Sequence, residues 1–369
     1  MPINDGLANL SHDAFMVTVV AYALAVLAFA GDFAFGREVL GQLKPAREPA
    51  AERVAVGATV GVTAAGAAAG APGVNGPGGT PEGAAEPGTS PAGAGGRPAG
   101  AGAAVRPGAR QDGRPMGRWV QVALALTALG LAAHLLGVVS RGLAVHRVPW
   151  GDMYEFVTTV TCVAVAVFVA FMVRYRAYRL GLFVLGPVVV LLGLAETVIY
   201  TPAGQLPPAL QSYWLAIHVT SITLATGAFV VAALLAVSYL LADRHAQRAA
   251  AGLPTRGSAI FRLLPDPKLI DRLAYRTAVF GFPLWTFGII AGAIWADEAW
   301  GRYWGWDPTE TWAFITWVVY AGYLHARATA GWRGRRSAYI MLIGFGCLLF
   351  NTIVISLLVK GLHSYAGLS

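Results

Sequence analysis

SYWLAIHVTSITLATGAFVVAALLAVSYLL, residues 212–241, runs thirty positions without an Asp, Glu, Lys or Arg. About 20 predominantly apolar residues in a helix span the roughly 30 Å hydrocarbon core of a bilayer, so this run is long enough to cross. Seven more apolar runs lie at 14–35, 119–139, 154–173, 180–199, 277–295, 311–328 and 338–359. The expected fold is all-α: a polytopic integral membrane protein with about eight transmembrane helices. Composition agrees, since the 369 residues are 56% hydrophobic and 12% charged, about half the charge fraction of a soluble domain. The amino terminus lacks a basic leader region and carries Asp5 and Asp13, so its apolar run is read as a retained helix rather than a signal peptide.

The cations give the runs a direction. Segments 36–118, 174–179, 242–276 and 326–337 hold 23 of the 27 Lys and Arg residues; the opposite loops hold Arg141, Arg147, Arg302 and Lys360. Basic loops stay cytoplasmic, so both termini and the loop before the seventh run are expected outside, in a multi-pass protein of the bacterial plasma membrane. The same asymmetry explains the net charge of +8 through membrane topology and predicts no nucleic-acid partner. Residues 1–40 read as an N-terminal membrane helix and 116–369 as the main membrane domain. Between them, 41–115 is dominated by Gly, Ala and Pro with no aromatic residue, which predicts a disordered cytoplasmic linker.

Five of the eleven tryptophans fall in Trp295–Trp312, WADEAWGRYWGWDPTETW. An interfacial aromatic belt spreads over many helix ends. Here Trp295, Trp300, Trp304, Trp306 and Trp312 crowd one outer loop, with Gly301 and Gly305 allowing tight turns. That clustering points to a hydrophobic shelf for a flat ligand. Asp307-Pro308-Thr309-Glu310 has the order of an N-cap acceptor, a first-turn proline and a capping-box glutamate. Helix capping is therefore one role for Asp307, and ligand contact the other.

His218 lies about six residues into the fifth run and His363 just past the eighth, both at the level of the tryptophans. His325 lies about 25 Å below the Asp307 cap, toward the cytoplasmic leaflet, and intramembrane ionisable residues are costly and usually functional. Two histidines at one depth beside an aromatic shelf fit bis-imidazole ligation of a porphyrin iron; for a lone membrane histidine a helix–helix hydrogen bond is the alternative. Zinc fits less well, because no cysteine or third ligand converges there. His134 and His146 read as structural or solvated. Cys162 and Cys347 sit in apolar runs with no CxxC or CxxCH, so the chain is neither a dithiol reductase nor itself a c-type cytochrome.

The run WGWDPTETWAFITWVVYAGYLHAR (304–327) resembles the tryptophan-rich WWD signature of haem-handling membrane proteins, most closely the CcsA/ResC family of System II cytochrome c maturation (CcsB in some lineages). VPWGDMYEF (148–156), SYWLAIHV (212–219) and GLHSYAG (361–367) resemble further motifs of that family in the same order, and the likeness covers about 119–369. It implies that His218 and His363 are the external haem ligands and His325 the histidine of an inner haem position. The other inner ligand would come from a ResB/Ccs1-type membrane subunit. Trp300, Trp304, Trp306, Asp307 and Trp312 would frame the outer site. The implied function is export of haem b, kept ferrous, and its presentation to the CxxCH of apocytochrome c for thioether attachment, as a subunit of the cytochrome c synthase. The attacking thiols would be the substrate's, so no catalytic residue is expected in this chain. The alternatives are a System I haem-handling protein and a b-type haem oxidoreductase subunit; the order of motifs and the single outer histidine pair favour System II.

Overall fold

The computed structural model describes residues 3–35, 117–206, 210–253, 261 and 264–363; the expected linker 41–115 lies outside them. Among the described residues every regular element is helical: α1 (Asp5–Phe35), α2 (Arg118–Val145), α3 (Met153–Tyr175), α4 (Gly181–Thr197), α5 (Tyr213–Ala250), α6 (Pro267–Trp300), α7 (Pro308–Ala328) and α8 (Arg335–Leu349). A 3₁₀ turn, Tyr178–Leu180, leads into α4. A π-helical stretch, Phe350–Ile355, and a closing turn, Ser356–Leu358, extend α8. Each expected apolar run falls on one of these helices. Seven are long and apolar enough to cross a membrane. The other, α7, has 21 residues and is less apolar, for it carries Glu310, His325 and Arg327.

Hydrocarbon offers no water to unsatisfied backbone groups, so helices close their own hydrogen bonds and associate through packing. The first pair, α1 and α2, runs antiparallel with small residues of α2 beneath rings of α1. A Cβ at Gly130 would collide with the Tyr22 ring, and one at Gly137 would stand 2.9 Å from Phe15. Fully buried His134 ties in α3: Nε2–H donates to the Thr158 carbonyl at 2.9 Å, which leaves Nδ1 to accept from the Tyr22 hydroxyl at 3.4 Å. It is a structural histidine.

The second pair, α5 and α6, is also antiparallel, with Gly288 of α6 against Ile222 of α5. The run quoted at the outset becomes the central helix, 72% of its apolar window buried inside the bundle. Around it pack α3, α6 and α8. Phe229 of α5 stacks on Tyr320 of α7 with ring centroids 3.9 Å apart, and the Trp285 indole donates to the Ala313 carbonyl at 3.3 Å. One end of the bundle is closed by ion pairs: Arg327 grips Asp271 through both terminal nitrogens at 2.8 and 3.0 Å, and Arg335 meets Asp243 at 2.6 Å. The other end carries the tryptophan loop.

Gly130→Leu forces a side chain against Tyr22. Overpacking of this kind costs about 1–3 kcal/mol, so the thermal unfolding midpoint in detergent should fall. An unchanged midpoint would mean that α1 and α2 do not interlock here.

Candidate functional site

The tryptophan loop closes on one carboxylate. Asp307 is the N-cap of α7, and its Oδ2 accepts from the Thr309 amide at 3.3 Å. Glu310 completes the capping box, its Oε2 accepting from the Asp307 amide at 3.0 Å and the Gly305 amide at 2.9 Å. Arg302 donates to the same glutamate at 3.2 Å. Asp307 also reaches the far end of the chain. Its Oδ1 accepts from the Leu362 amide at 2.9 Å, and its Oδ2 from Nδ1 of His363 at 3.0 Å. The imidazole hydrogen bond holds the Asp307 carboxyl down at about 2, and the two backbone donors add to this against the opposing effect of burial. Capping and histidine support are thus one function of one side chain.

His218 is placed by α5 and its neighbour α6. Its Nδ1 lies 2.7 Å from the Gly288 carbonyl, an acceptor, so Nδ1 carries the proton. Asp307 fixes His363 the same way. Among the described residues neither Nε2 has a protein partner, and Nε2 is therefore the free lone pair on both rings. Trp295, near the end of α6, stands between them, stacked on His218 at 11° with centroids 6.4 Å apart and edge-on to His363 at 6.2 Å. Trp300 packs on His363 at 5.0 Å.

His218, Trp295 and His363 line one cavity of about 730 Å³ between α3, α5, α6 and the end of α8. That volume is within the roughly 300–1,000 Å³ of pockets that bury a small molecule or cofactor. It descends along α5 from His218 to Thr226, about 12 Å by helix rise, where Trp285 also lines it. Asn351, Thr352 and Ser356 face it from the π-helical stretch and closing turn.

The other expected residues lie apart. Trp304 and Trp306 meet each other edge to face at 5.6 Å; Trp306 is 64% exposed and holds φ at 58°. Trp312 packs on Phe350 at 4.2 Å, bracing the π-helical stretch. None of these three, nor Trp300, lines the cavity; the indoles that do are Trp150, Trp285 and Trp295. His325 is exposed near the opposite end of α7, and open space adjoins Gly322 one turn away.

Sequence reasoning missed one wall. Glu155, buried on α3, accepts from Arg141 Nε at 2.9 Å, Arg147 Nη1 at 2.7 Å and the Gly151 amide at 2.7 Å. Arg141 continues to the Thr201 carbonyl at 2.7 Å and Arg147 to the Gly204 carbonyl at 3.0 Å. The carboxylate thereby pins the α2–α3 and α4–α5 loops across the cavity mouth. Asp152, the α3 N-cap, has its carboxyl pushed up to about 6 by burial and by the nearby charge of Glu155. The available signal was two arginines on the cation-poor side of the chain, facing a Tyr-Glu pair.

A family model described as "Cytochrome C assembly protein" matches residues 123–363, from within α2 to His363. The cytochrome c biogenesis protein CcsA of Guillardia theta is 41% identical over 215 residues, covering 53% of this chain and 70% of the relative. CcsA of Mesostigma viride is 36% identical over 259 residues, covering 64% and 82%.

Two substitutions test this geometry. Glu155→Ala leaves two guanidinium groups without their carboxylate. Breaking a buried pair costs about 3–5 kcal/mol, measurable as a lowered unfolding midpoint, and an unaltered midpoint would deny the pin. Asp307 has a folded-state pKa below the ordinary carboxylate value, so its stabilisation is present above about pH 4 and lost as pH falls toward 2. The stability gap between wild type and Asp307→Asn should be largest at neutral pH and shrink over that window; a gap independent of pH would remove the carboxylate from the account.

Proposed function

The chain belongs to the cytochrome c assembly family, among its CcsA biogenesis proteins, and from that membership we propose that the cavity between His218 and His363 holds haem and presents it to apocytochrome c. It is a multi-pass membrane protein acting in cytochrome c biogenesis, and membership of that family implies haem handling. The observation that carries the finer reading is the pair of outer histidines: both line one cavity, and both have Nδ1 engaged by an acceptor and Nε2 free. A metal-binding imidazole is oriented by the hydrogen bond of its other nitrogen, and an acceptor there raises its basicity. Trp295 supplies a flat apolar surface against both rings.

In this reading haem b enters from the basic, cytoplasmic side near His325, where a ResB/Ccs1-type subunit gives the second inner ligand. It moves outward to the cavity, on the extracytoplasmic face of the bacterial plasma membrane. His218 and His363 hold the iron and favour the ferrous state. Each substrate thiol then adds across one vinyl group, sulfur bonding to the carbon next to the ring and hydrogen ending on the terminal carbon. Two thioethers form without net oxidation. This chain contributes position and ligand field, as a subunit of the synthase rather than its nucleophile.

The test is a reduced absorption spectrum with haem quantification on the purified complex. Wild type should show bis-histidine b-type haem, and His218→Ala and His363→Ala should each change its axial ligation. His325→Ala should lower the haem delivered to the outer site. Asp307→Ala keeps His363 but removes its support, a change that typically costs about 10–100-fold in affinity. If none of these proteins, wild type included, takes up supplied haem, the reading fails.

A further inference from the structure

The α2–α3 loop contains two buried donors with no acceptor: Nε of Arg147 and the indole Nε1 of Trp150. Both side chains line the cavity at its mouth. Buried donors are nearly always paired, so an orphan calls for a reason. Two orphans three residues apart on one cavity wall call for the same one. Arg147 cannot turn away to find a partner. Its two terminal nitrogens are committed to Glu155 at 2.7 and 3.2 Å, to the Val148 carbonyl at 3.0 Å and to the Gly204 carbonyl at 3.0 Å. The loop cannot relax either, for a Cβ at Gly151 would stand 2.8 Å from Arg147 Nη1. The wall thus holds a rigid cation with one donor left over, beside an indole N–H.

The rest of the cavity differs. Below His218 it is built from apolar side chains such as Phe156, Ile222 and Trp285, relieved by Thr226, Asn351 and Thr352. Among the described residues Arg147 is the one arginine or lysine in the lining. A carboxylate carried into the deep part would lose its hydration with no cation to replace it. At the mouth it would meet Arg147 and the two free donors.

We propose that Arg147 and Trp150 form a carboxylate-binding subsite that takes an acidic arm of the flat substrate and fixes which of its edges enters the cavity. The inference rests on the cavity being the haem site. The two propionates of haem leave from one edge of the macrocycle and the two vinyl groups lie away from it. Anchoring the acid edge at residues 147–150 points the vinyl edge away from this loop. The subsite orients the substrate about the axis on which His218 and His363 hold it, a freedom that two axial ligands alone leave open.

The test titrates the full chain in detergent with dithionite-reduced protoporphyrin IX iron and, separately, with its dimethyl ester, which keeps iron, vinyl groups and ring but lacks carboxylates. Hydrogen bonds to a charged group typically correspond to about tenfold or more in affinity, so wild type should prefer the diacid by at least about that factor. Trp150→Phe keeps an aromatic ring and removes the indole N–H. It should shrink the preference severalfold while leaving affinity for the ester and the bis-imidazole spectrum unchanged. Equal affinities of wild type for diacid and ester, with a normal bis-imidazole spectrum, would overturn the subsite and leave the haem site standing. Equal weakening of both ligands by Trp150→Phe would make Trp150 a packing residue and overturn the proposal as well. Absence of the bis-imidazole spectrum with either porphyrin would remove the haem reading and the subsite together.

Discussion

A single carboxylate joins two distant parts of this chain. Asp307 opens α7 as its cap and closes the chain's last described residues against that cap, through Leu362 and His363. The cysteines are free, so no covalent link does this work. The arrangement suits the boundary of a membrane, where water is scarce enough for charge-assisted hydrogen bonds to gain strength. A cap that only satisfied helix amides would leave the histidine's ring free to rotate. A histidine held only by packing would keep both tautomers. Sharing one acceptor group fixes ring, tautomer and helix start together.

A second carboxylate does the same for the opposite wall. Glu155 gathers Arg141, Arg147 and a loop amide, and buried ions are tolerable only when each has its partners. The reach of this cluster extends to α1, which lies outside the family match. The Asn4 amide donates to the Ala144 carbonyl at 3.0 Å and Ser11 to the Gly137 carbonyl at 2.8 Å. Those carbonyls belong to the last turns of α2, directly before the loop that carries Arg147 and Trp150. The first helix therefore steadies the cavity mouth without touching the cavity.

Much of this was legible in the amino-acid order. Long apolar runs report burial in lipid whatever the tertiary arrangement, and all eight became helices. The Asp-Pro-Thr-Glu cap is local chemistry, and it formed as its spacing required. Depth along a helix follows from rise alone, which is why His218 and His363 could be set at one level. What hydropathy does not encode is which helix faces meet. The tryptophans looked like one shelf because they are adjacent in the chain; folding puts Trp295 between the histidines, sends Trp304 and Trp306 outward and sets Trp312 against Phe350. The cavity's other wall comes from residues 145–156, some sixty positions before His218, and pairing over that separation leaves no periodic trace.

The π-helical stretch Phe350–Ile355 has a consequence for how this chain tolerates change. A π turn houses one residue more than the α-helix around it, and here it precedes His363 by two turns of chain. Deleting one residue there would restore regular α geometry and rotate everything beyond it by about 100°. Asn351, Thr352 and Ser356 would leave the cavity, and the final histidine would arrive at a different azimuth from the one Asp307 awaits. The last helix thus measures length as well as apolarity: a gap of one residue, harmless in most membrane spans, would here dismantle the site while leaving the hydropathy profile almost unaltered.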